Sequence, residues 1–419
     1  MPCPMYAAPR LLLFDPYVGG HHADHVRWIA EAWKARAVEG ALVAAVAPHL
    51  IEQHPDLNAL AFEEERSGFR LASLPAEADT GGPLGLLGAA AQNARLYRAA
   101  VRQHRPQRTL AMYFDHLQVA LALHLPLPSV PLSGILFRPA LHYAMLEERQ
   151  PKFADRLWQW RKGLLLARAL RHRSLEAVFS LDPVAVPALR ALTPSRVRVV
   201  ALPDPADLGS VTRSAGSVRA TYGVEPGRVL LVLFGALDER KGTFALLAAL
   251  RKLPPPVAAR ASVLLAGRPL GDAGPRLRRE VAALSLSTPA QILLHDRFVP
   301  DHEVQNLLAA ADVVLAPYLR HVGSSGVLMR AAAAGTPVLS QAYGLMGWQV
   351  RTYALGRTVD TEAPDVLARA LADAIAAPHA GFNRARAATF AAAHTVDAYV
   401  DALFYTLLGP LSPSLASAP

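Results

Sequence analysis

Short runs of apolar residues alternate with longer amphipathic segments along almost the whole chain. In the first half, uninterrupted apolar runs predict buried strands, and segments with helical spacing predict the helices between them. The predicted strands are residues 11–15, 40–47, 109–114, 132–137 and 177–181, and the predicted helices are 23–37 and 89–103. Strands that alternate with helices in this way are typical of a parallel, doubly wound sheet.

The same pattern starts again after residues 199–204. The predicted strands of this second half are 229–234, 261–266, 291–294, 313–316 and 337–340, and the predicted helices are 242–252, 274–284, 302–311 and 327–334. The proline-rich segment 202–207 lies between the halves and is the predicted linker. We therefore expect an α/β protein with two Rossmann-like domains, 1–203 and 204–390, and a disordered tail at 409–419.

The composition limits the class of protein. Hydrophobic residues make up 52% of the 419 residues and charged residues 18%, which suits two domains of about 200 residues with large cores. The chain has no run of about 18 uncharged apolar residues, so no transmembrane helix is predicted. Its N-terminal stretch lacks the basic and long apolar regions of a signal peptide. The single cysteine, Cys3, excludes an internal disulfide and fits the reducing cytoplasm.

The net charge of +9 has two interpretations. It can reflect a solvated, arginine-rich surface, or attraction to anionic partners such as nucleotides, acidic glycans or a membrane. The chain has neither zinc-finger spacing nor an aromatic and basic ribonucleoprotein motif, so nucleic acid is not an expected partner. Segment 151–173 combines Trp158 and Trp160 with many basic residues. It is compatible with an interfacial helix at the inner face of a membrane, or with a helix packed on its own domain.

The first candidate loop is GALDERKG, residues 235–242, directly after a predicted strand. Ligands of doubly wound sheets bind at the carboxyl ends of strands, where loops lead into helices. Gly235 permits the close approach of a ligand, while Arg240 and Lys241 place cations at the start of a helix, where a phosphate would also meet free backbone N–H groups. Cations disfavour a helix N-terminus, so this pair requires an anionic ligand or a carboxylate partner such as Asp238.

The second candidate loop is GSSG, residues 323–326, which opens the predicted helix 327–334. The backbone N–H groups of Ser324, Ser325 and Gly326 are expected to be free to donate to a phosphate. Arg330 lies about one turn further along the helix, within reach of a bound anion. The same turn could also serve as a plain N-cap.

The third candidate loop follows the first strand and contains Gly19 and Gly20, which form a tight turn that can admit a sugar or a phosphate. Of the nearby histidines, His21 and His25 have the i, i+4 spacing of a metal site, but no carboxylate completes the ligand set. We therefore expect no metal here, and histidines that bond to substrate or cap the helix.

These strings resemble those of the retaining glycosyltransferases of family 4, which have the GT-B fold. The resemblance covers about residues 230–371 and is carried by FGALDERKG, by AADVVLAPYLRHVGSSGVLMRAAAAGTPVLSQAYG and by LGRTV. It implies two doubly wound domains facing across a cleft, with the nucleotide-sugar donor on the second domain and most of the acceptor site on the first. It also implies that the final helix, within 391–408, packs back on the first domain.

The resemblance gives roles to individual residues by position. Lys241 resembles the family's diphosphate-binding lysine, and Gly19 and Gly20 resemble its N-terminal glycine loop. His116, after the strand predicted at 109–114, resembles the histidine held near the reacting sugar, although a structural histidine at a strand end fits the same pattern. Arg138 ends another predicted strand and is a further candidate for the cleft.

The implied activity is transfer of a sugar, with retention at the anomeric carbon, from a nucleoside diphosphate sugar to a glycan, lipid-linked or small-molecule acceptor. The nucleotide sugar would be a co-substrate, and neither a permanently bound cofactor nor a metal is expected. The family's two glutamates, eight positions apart, correspond here to Val322 and Arg330, and its arginine after the strand-end glycine corresponds to Ala236. The alternative is therefore a catalytically degenerate protein of the same fold that binds a glycan or acts as the partner subunit of an active glycosyltransferase. A nucleotide-sugar epimerase would require extra carboxylates in the cleft, which the sequence does not provide.

Overall fold

The computed structural model describes residues 10–17, 22–62, 68–76, 85–137, 139 and 153–409. These residues divide into two compact units. The first unit contains those up to Pro203 and those from Val396 onward, and the second contains Asp204–Thr395.

The first unit has one sheet of seven parallel strands, with helices in most of the connections. The strands are β1 (Leu11–Asp15), β2 (Leu42–Val46), β3 (Phe69–Ser73), β4 (Arg108–Ala111), β5 (Leu132–Leu136), β6 (Leu175–Ser180) and β7 (Arg198–Ala201). The helices are α1 (His22–Ala35), α2 (Pro48–Gln53), α3 (Pro55–Phe62), α4 (Leu86–His104), α5 (Phe114–Ala122), α6 (Phe153–Ala169) and α7 (Val186–Leu192). The strand order is β3-β2-β1-β4-β5-β6-β7, so the direction of winding reverses between β1 and β4.

The second unit repeats this architecture with six parallel strands. They are β8 (Val229–Phe234), β9 (Ala261–Ala266), β10 (Gln291–His295), β11 (Val313–Ala316), β12 (Val338–Gln341) and β13 (Gly356–Val359). The helices are α8 (Ala215–Thr221), α9 (Thr243–Leu250), α10 (Pro255–Ala258), α11 (Ala273–Ser287), α12 (Asp301–Ala310), α13 (Gly326–Ala334), α14 (Gly344–Tyr353), α15 (Pro364–Ala376) and α16 (Arg384–Ala392). The order β10-β9-β8-β11-β12-β13 reverses between β8 and β11. Together the two sheets confirm the predicted α/β class.

Apolar side chains cover both faces of each sheet, because successive residues of a strand point to opposite faces. In β1, Leu11 and Leu13 pack into a core that includes α1. Leu12 and Phe14 pack into a second core built by α4, α5 and α6. β8 divides its side chains between two cores in the same way. This double burial explains why the central strands read as uninterrupted apolar runs in the sequence.

The last helix, α17 (Val396–Leu408), packs on the first unit although the residues before it belong to the second. Tyr399, Leu403 and Phe404 are buried in the same core as Leu11. The ring of Phe404 stands perpendicular to that of Trp33 on α1, with centroids 5.7 Å apart. Because helices gain most of their stability from burying one apolar face, α17 is part of the core of the first unit.

Four strands have the bounds predicted from the sequence, whereas several peripheral elements are not predicted. β1, β8, β9 and β11 have the predicted bounds. α2 and α3 each begin at a proline, which is favoured in the first helical turn but is also typical of loops. The strand predicted at 109–114 is too long, since β4 ends at Ala111 and Phe114 already begins α5.

Several sequence-based predictions fall outside the described residues: Cys3, Gly19, Gly20, His21, Arg138 and the tail from 410 to 419. Among the helices that are described, none is both long enough and apolar enough to cross a membrane.

We predict that Leu403→Ala destabilises the first unit. Leu403 is completely buried, so removal of its side chain should lower the free energy of unfolding by about 2–5 kcal/mol. Tyr405→Ala is the matched control, because Tyr405 lies on the same helix and is 70% exposed; its effect should stay within about 0.5 kcal/mol. Urea unfolding followed by circular dichroism measures both changes, and equal losses would contradict the packing of α17.

Candidate functional site

In each sheet, one group of polar side chains lies where the strand order reverses. β1 and β4 are hydrogen-bonded neighbours in the first unit, as β8 and β11 are in the second. Ligands of open α/β sheets bind outside the carboxyl ends of the strands at such points. The loops after these four strands therefore define one candidate site in each unit.

Lys241 folds back over the end of β8. Its Nζ donates a hydrogen bond of 3.3 Å to the carbonyl oxygen of Phe234. Gly235 has φ of 105°, and a Cβ at this position would lie 2.5 Å from the Lys241 Nζ. Glycine tolerates this backbone conformation and leaves room for the ammonium group. Gly235 therefore positions the lysine, in addition to any access it gives to a ligand.

Three backbone N–H groups at the end of this loop are already bonded within it. The N–H of Lys241 donates to Asp238 Oδ1 at 2.8 Å, and those of Gly242 and Thr243 donate to carbonyl oxygens of the same turn. The Asp238 carboxylate also lies 3.9 Å from the guanidinium of Arg240. The end of the loop is thus a turn closed by its own hydrogen bonds, with two cations beside it.

Tyr318, in the loop after β11, joins this turn to the GSSG loop. Its hydroxyl shares a hydrogen bond of 2.8 Å with Ser325 Oγ. The ring centroid of Tyr318, whose side chain is buried, lies 5.2 Å from Lys241 Nζ and 5.8 Å from Arg240 Cζ. A cation within about 6 Å of an aromatic face is attracted to it. One aromatic side chain therefore brings the two predicted loops together.

The GSSG loop leaves three donors at the N-terminus of α13. Within the part of the chain that the structure describes, the backbone N–H groups of Ser324, Ser325 and Gly326 donate to no acceptor. Ser325 Oγ instead accepts from the N–H of Val327 and caps the helix. A Cβ added at Gly326 would meet no atom within 4 Å, so the space beside these donors is open. Donors and helix dipole together form an arrangement that can bind an anion.

Two carboxylates are bonded to side chains of this loop and helix. Ser324 Oγ donates to the carboxylate of Asp204. Both guanidinium NH groups of Arg330 donate to Asp301 Oδ1, each at 3.0 Å. Arg330 is therefore engaged with the first residue of α12, and it could contact an anion at the GSSG loop only by leaving this partner. Because Asp301 is largely exposed, the ion pair contributes little to stability and is easily exchanged.

In the first unit, His116 lies in the first turn of α5 and stacks on Tyr17, which follows β1. The two ring centroids are 3.8 Å apart. Asn93, buried on α4, donates to the hydroxyl of Tyr17 at 3.0 Å and to the carbonyl oxygen of His116 at 3.2 Å. These contacts hold the loops after β1 and β4 together at the point where the strand order reverses.

Asp15, the last residue of β1, binds His22, the first residue of α1. Both carboxylate oxygens of Asp15 lie 2.7 Å from His22 Nδ1, and the carboxyl group is completely buried. Burial raises the pKa of Asp15, and the hydrogen bond and charge of His22 oppose that rise. The ring of His22 stacks on Tyr113 at 3.9 Å between centroids, and Tyr113 stacks on Phe137 at 3.8 Å.

The other described side chains of the predicted histidine loop have separate partners. His25 Nδ1 and the hydroxyl of Tyr399 are hydrogen-bonded at 2.9 Å. Asp24 pairs with Arg27 on the next turn of α1. The described residues contain no group of three histidine, cysteine, aspartate or glutamate side chains that could hold a metal ion.

Sequence reasoning missed Asp204 and the Asp15–His22 pair as parts of these sites, and it assigned no contact to Tyr318, which it had noted beside the GSSG loop. Tyr318 is visible in the string APYLRHVGSSG, but nothing in the string shows that its hydroxyl reaches Ser325. Asp204 bonds to a residue 120 positions away, which no local pattern reveals. A usable signal existed for Asp15, since a carboxylate that ends an apolar strand is rarely buried without a partner.

Solved structures share this architecture. HepE from Anabaena in complex with UDP superposes with a TM-score of 0.62 and 17% identity, covering 95% of this chain and 99% of that chain. WaaG, a glycosyltransferase involved in lipopolysaccharide biosynthesis, gives 0.59 and 16%, with 96% and 100% covered. With its two parallel-sheet units, the protein has the fold class of the GT-B glycosyltransferases.

The second unit carries the sequence similarity to a family. Residues 217–391 match the model of the glycosyl transferases group 1. A D-inositol 3-phosphate glycosyltransferase from Mycolicibacterium vanbaalenii is 35% identical over 198 residues, covering 43% of this chain and 42% of the relative. The chain thus spans less than half the length of the curated relatives that it matches. The family match therefore lies within the second unit and covers most of it.

We predict that Gly242→Ala disrupts the contact between the two loops. Gly242 has φ of 74°, and a Cβ there would lie 1.8 Å from the carbonyl oxygen of Pro317, so the segment that carries Tyr318 must move. Gly223→Ala is the matched control, since Gly223 has φ of 71° and no atom within 4 Å of an added Cβ. Gly223→Ala should lower the free energy of unfolding by about 1–2 kcal/mol, which is the conformational cost of a side chain at positive φ. Gly242→Ala should lower it by about 1–3 kcal/mol more. Equal losses in denaturant unfolding would show that the loops do not constrain each other.

Proposed function

We propose that the protein is a glycosyltransferase that moves a sugar from a nucleoside diphosphate sugar to an acceptor hydroxyl, with retention at the anomeric carbon. The observation that carries this proposal is the pairing of cations with helix donors: Lys241 and Arg240 lie over the Tyr318 ring, and the Tyr318 hydroxyl bonds to the cap of α13. Fixed cations beside a helix N-terminus suit the charge of a diphosphate. The group 1 match of the same unit and the UDP in the HepE complex support this class of donor.

The chemistry of the leaving group explains why these side chains would matter. Cleavage of the bond between the anomeric carbon and the diphosphate leaves additional negative charge on the phosphate oxygens. Donors that are already in position stabilise such charge without reorganisation. We assign this role to Lys241, with Arg240 as the second cation, and to the N–H groups of residues 324–326. On this assignment the reaction uses neither a metal nor a permanently bound cofactor.

The two positions that correspond to the family's glutamates are occupied here by Val322 and Arg330, so other groups must make the contacts of those glutamates. Val322 offers no carboxylate, and Arg330 is paired with Asp301. We assign part of the contact with the donor sugar to the backbone of the GSSG loop, and we assign to Arg330 a contact with the diphosphate after exchange of its carboxylate partner. The acceptor, a glycan, a lipid-linked sugar or a small molecule, is assigned to the first unit beside His116, together with Gly19, Gly20 and Arg138.

We predict that Lys241→Ala lowers turnover about a hundredfold or more, the loss typical of removing one fixed donor to a developing charge. Lys252→Ala is the control: Lys252 is an exposed lysine that follows α9 and pairs with Asp365, so its removal should leave turnover unchanged. The measurement is release of nucleoside diphosphate from UDP-, GDP-, ADP- and dTDP-sugars in the presence of candidate acceptors. Turnover of Lys241→Ala equal to that of the unaltered protein would refute the assignment.

The catalytically degenerate alternative gives a different result in a binding experiment. A transferase with this site should show thermal stabilisation by at least one of UDP, GDP, ADP and dTDP, because a ligand that binds the folded state raises its stability. A partner protein that has lost the donor site should show stabilisation by none of them.

We further propose that the protein works in the cytoplasm at an anionic membrane surface, bound through α6. In the described part of this helix, Trp160 is 63% exposed and Leu164 is 52% exposed. Arg161, Lys162 and Arg168 are also exposed. Exposed tryptophan and leucine beside basic side chains are typical of helices that bind at a membrane interface.

Flotation with vesicles that contain phosphatidylglycerol tests this contact. The double variant Trp160→Ala/Leu164→Ala should float at least several-fold less than the unaltered protein, and binding should fall as salt screens the basic residues. Leu286→Ala is the control, because Leu286 is an exposed leucine of the second unit. Absence of the unaltered protein from the vesicle fraction at low salt would refute the contact.

A further inference from the structure

His321 lies in the loop after β11, shortly before the GSSG loop, and its ring is bonded to that loop. Its Nε2 lies 2.9 Å from the carbonyl oxygen of Ser324. A carbonyl oxygen only accepts hydrogen bonds, so Nε2 carries a proton and donates it. The Oγ of Ser324 in turn donates to the carboxylate of Asp204. Ser324 is therefore held through its backbone by a histidine and through its side chain by a carboxylate.

The bond from His321 sets the direction of the peptide group between Ser324 and Ser325. This peptide is trans, so its C=O and its N–H point in opposite directions. Because the C=O of Ser324 is turned toward the His321 ring, the N–H of Ser325 is turned away from it. The next peptide group is oriented by the helix instead, since the carbonyl oxygen of Ser325 accepts from the N–H of Leu328. Among the donors of this loop, that of Ser325 thus depends on a side chain for its direction.

Gln341, the last residue of β12, holds the backbone of His321 with both ends of its side-chain amide. Its Oε1 accepts from the N–H of His321 at 3.3 Å, and its Nε2 donates to the carbonyl oxygen of the same residue. The Gln341 side chain is buried. A side chain that packing and hydrogen bonds lock in place can hold its neighbour in place too. The histidine is thus attached to the end of the sheet.

The start of α14 packs against the same segment. The N–H of Leu345 donates to the carbonyl oxygen of Val322 at 3.0 Å. Gly344 has φ of 64°, and a Cβ there would lie 2.8 Å from the carbonyl oxygen of His321 and 2.9 Å from that of Val322. Glycine permits both this conformation and this close approach. The His321 backbone is therefore fixed by two neighbouring elements before any ligand binds.

We propose that His321 is a positioning residue for the donor diphosphate, and that it acts by turning the N–H of Ser325 toward the phosphate oxygens. A hydrogen bond weakens steeply as its donor is misaligned, so a peptide group that could rotate would bind the anion less well. Donors held in fixed directions also stabilise developing charge without reorganisation. This inference rests on the proposed glycosyltransferase activity, and it names the side chain that orients one of the donors of that site.

The decisive comparison is between His321→Leu and His321→Gln, which are both uncharged and similar in size. The side-chain amide of glutamine can donate as Nε2 does, whereas leucine has no donor. The probe is whichever of UDP, GDP, ADP and dTDP stabilises the unaltered protein most, and isothermal titration calorimetry measures its affinity. His321→Leu should bind this nucleotide about tenfold or more weakly, the effect of losing one hydrogen bond to a charged group. His321→Gln should regain most of that affinity.

Recovery in His321→Gln would also show that the loss in His321→Leu is not the loss of a positive charge, because neither variant carries one. His379→Leu is the control, since His379 is an exposed histidine of the second unit, and its nucleotide affinity should equal that of the unaltered protein. Equal affinities of His321→Leu and His321→Gln, whether high or low, would overturn the inference.

A second measurement uses the unaltered protein and does not depend on how the variants fold. In a nuclear magnetic resonance spectrum of protein with isotopically labelled serine, the amide proton of Ser325 should move downfield when the nucleotide is added, because it gains an anionic acceptor. Its signal is assigned through its loss in Ser325→Thr, which keeps the hydroxyl group that caps α13. A Ser325 amide signal that stays in place at saturating nucleotide would overturn the inference even if His321→Leu fails to fold.

These outcomes are distinct from failure of the proposed function. If none of these nucleotides binds to the unaltered protein, the proposed donor site is refuted, and the inference falls with it. If a nucleotide binds and its affinity does not depend on a hydrogen-bond donor at position 321, the inference alone is refuted.

Discussion

The contact of Tyr318 with two loops is the constraint on which the second unit's candidate site depends. β8 and β11 are neighbours in the sheet, so the loops after them begin side by side. Adjacency alone would leave Lys241 and Arg240 pointing into water, and a lysine at the start of a helix is electrostatically unfavourable. The Tyr318 ring gives both cations a surface to lie on, and its hydroxyl ties that surface to the cap of α13. Cations and helix donors therefore occupy one region without needing a ligand to bring them there.

The same arrangement explains the two glycines that flank the turn. Lys241 can return to the end of β8 because Gly235 has no side chain, and the turn can approach the loop after β11 because Gly242 has none. Asp238 closes the turn by accepting the N–H of Lys241. The turn thus uses three of its backbone donors for its own stability, whereas those of residues 324–326 have no acceptor among the described residues. The turn therefore provides cations, and the N-terminus of α13 provides open N–H groups.

The central part of this architecture could be predicted from the sequence, and the coupling between its loops could not. β8 and β11 are buried on both faces, so their apolar runs end where the strands end. The loops after them were then recognisable by Lys241 and by Ser324–Gly326. Edge and half-exposed elements such as β3 carry weaker patterns, since only part of each side chain is buried. The contacts of Asp204 with Ser324 and of Tyr318 with Ser325 depend on tertiary structure, and no local spacing encodes them.

The two candidate sites differ in the chemistry of their side chains, and this difference suits the two substrates of the proposed sugar transfer. In the described residues around β8 and β11, an anion would meet Lys241, Arg240 and backbone donors. Around β1 and β4, the described side chains are hydroxyl, amide and imidazole groups, together with a carboxylate that is already bonded to His22. A diphosphate requires positive charge, whereas a hydroxyl nucleophile requires hydrogen-bond partners and a place for its proton. Two sheets of the same topology thus carry different chemistry at the same position, as the proposed transfer requires.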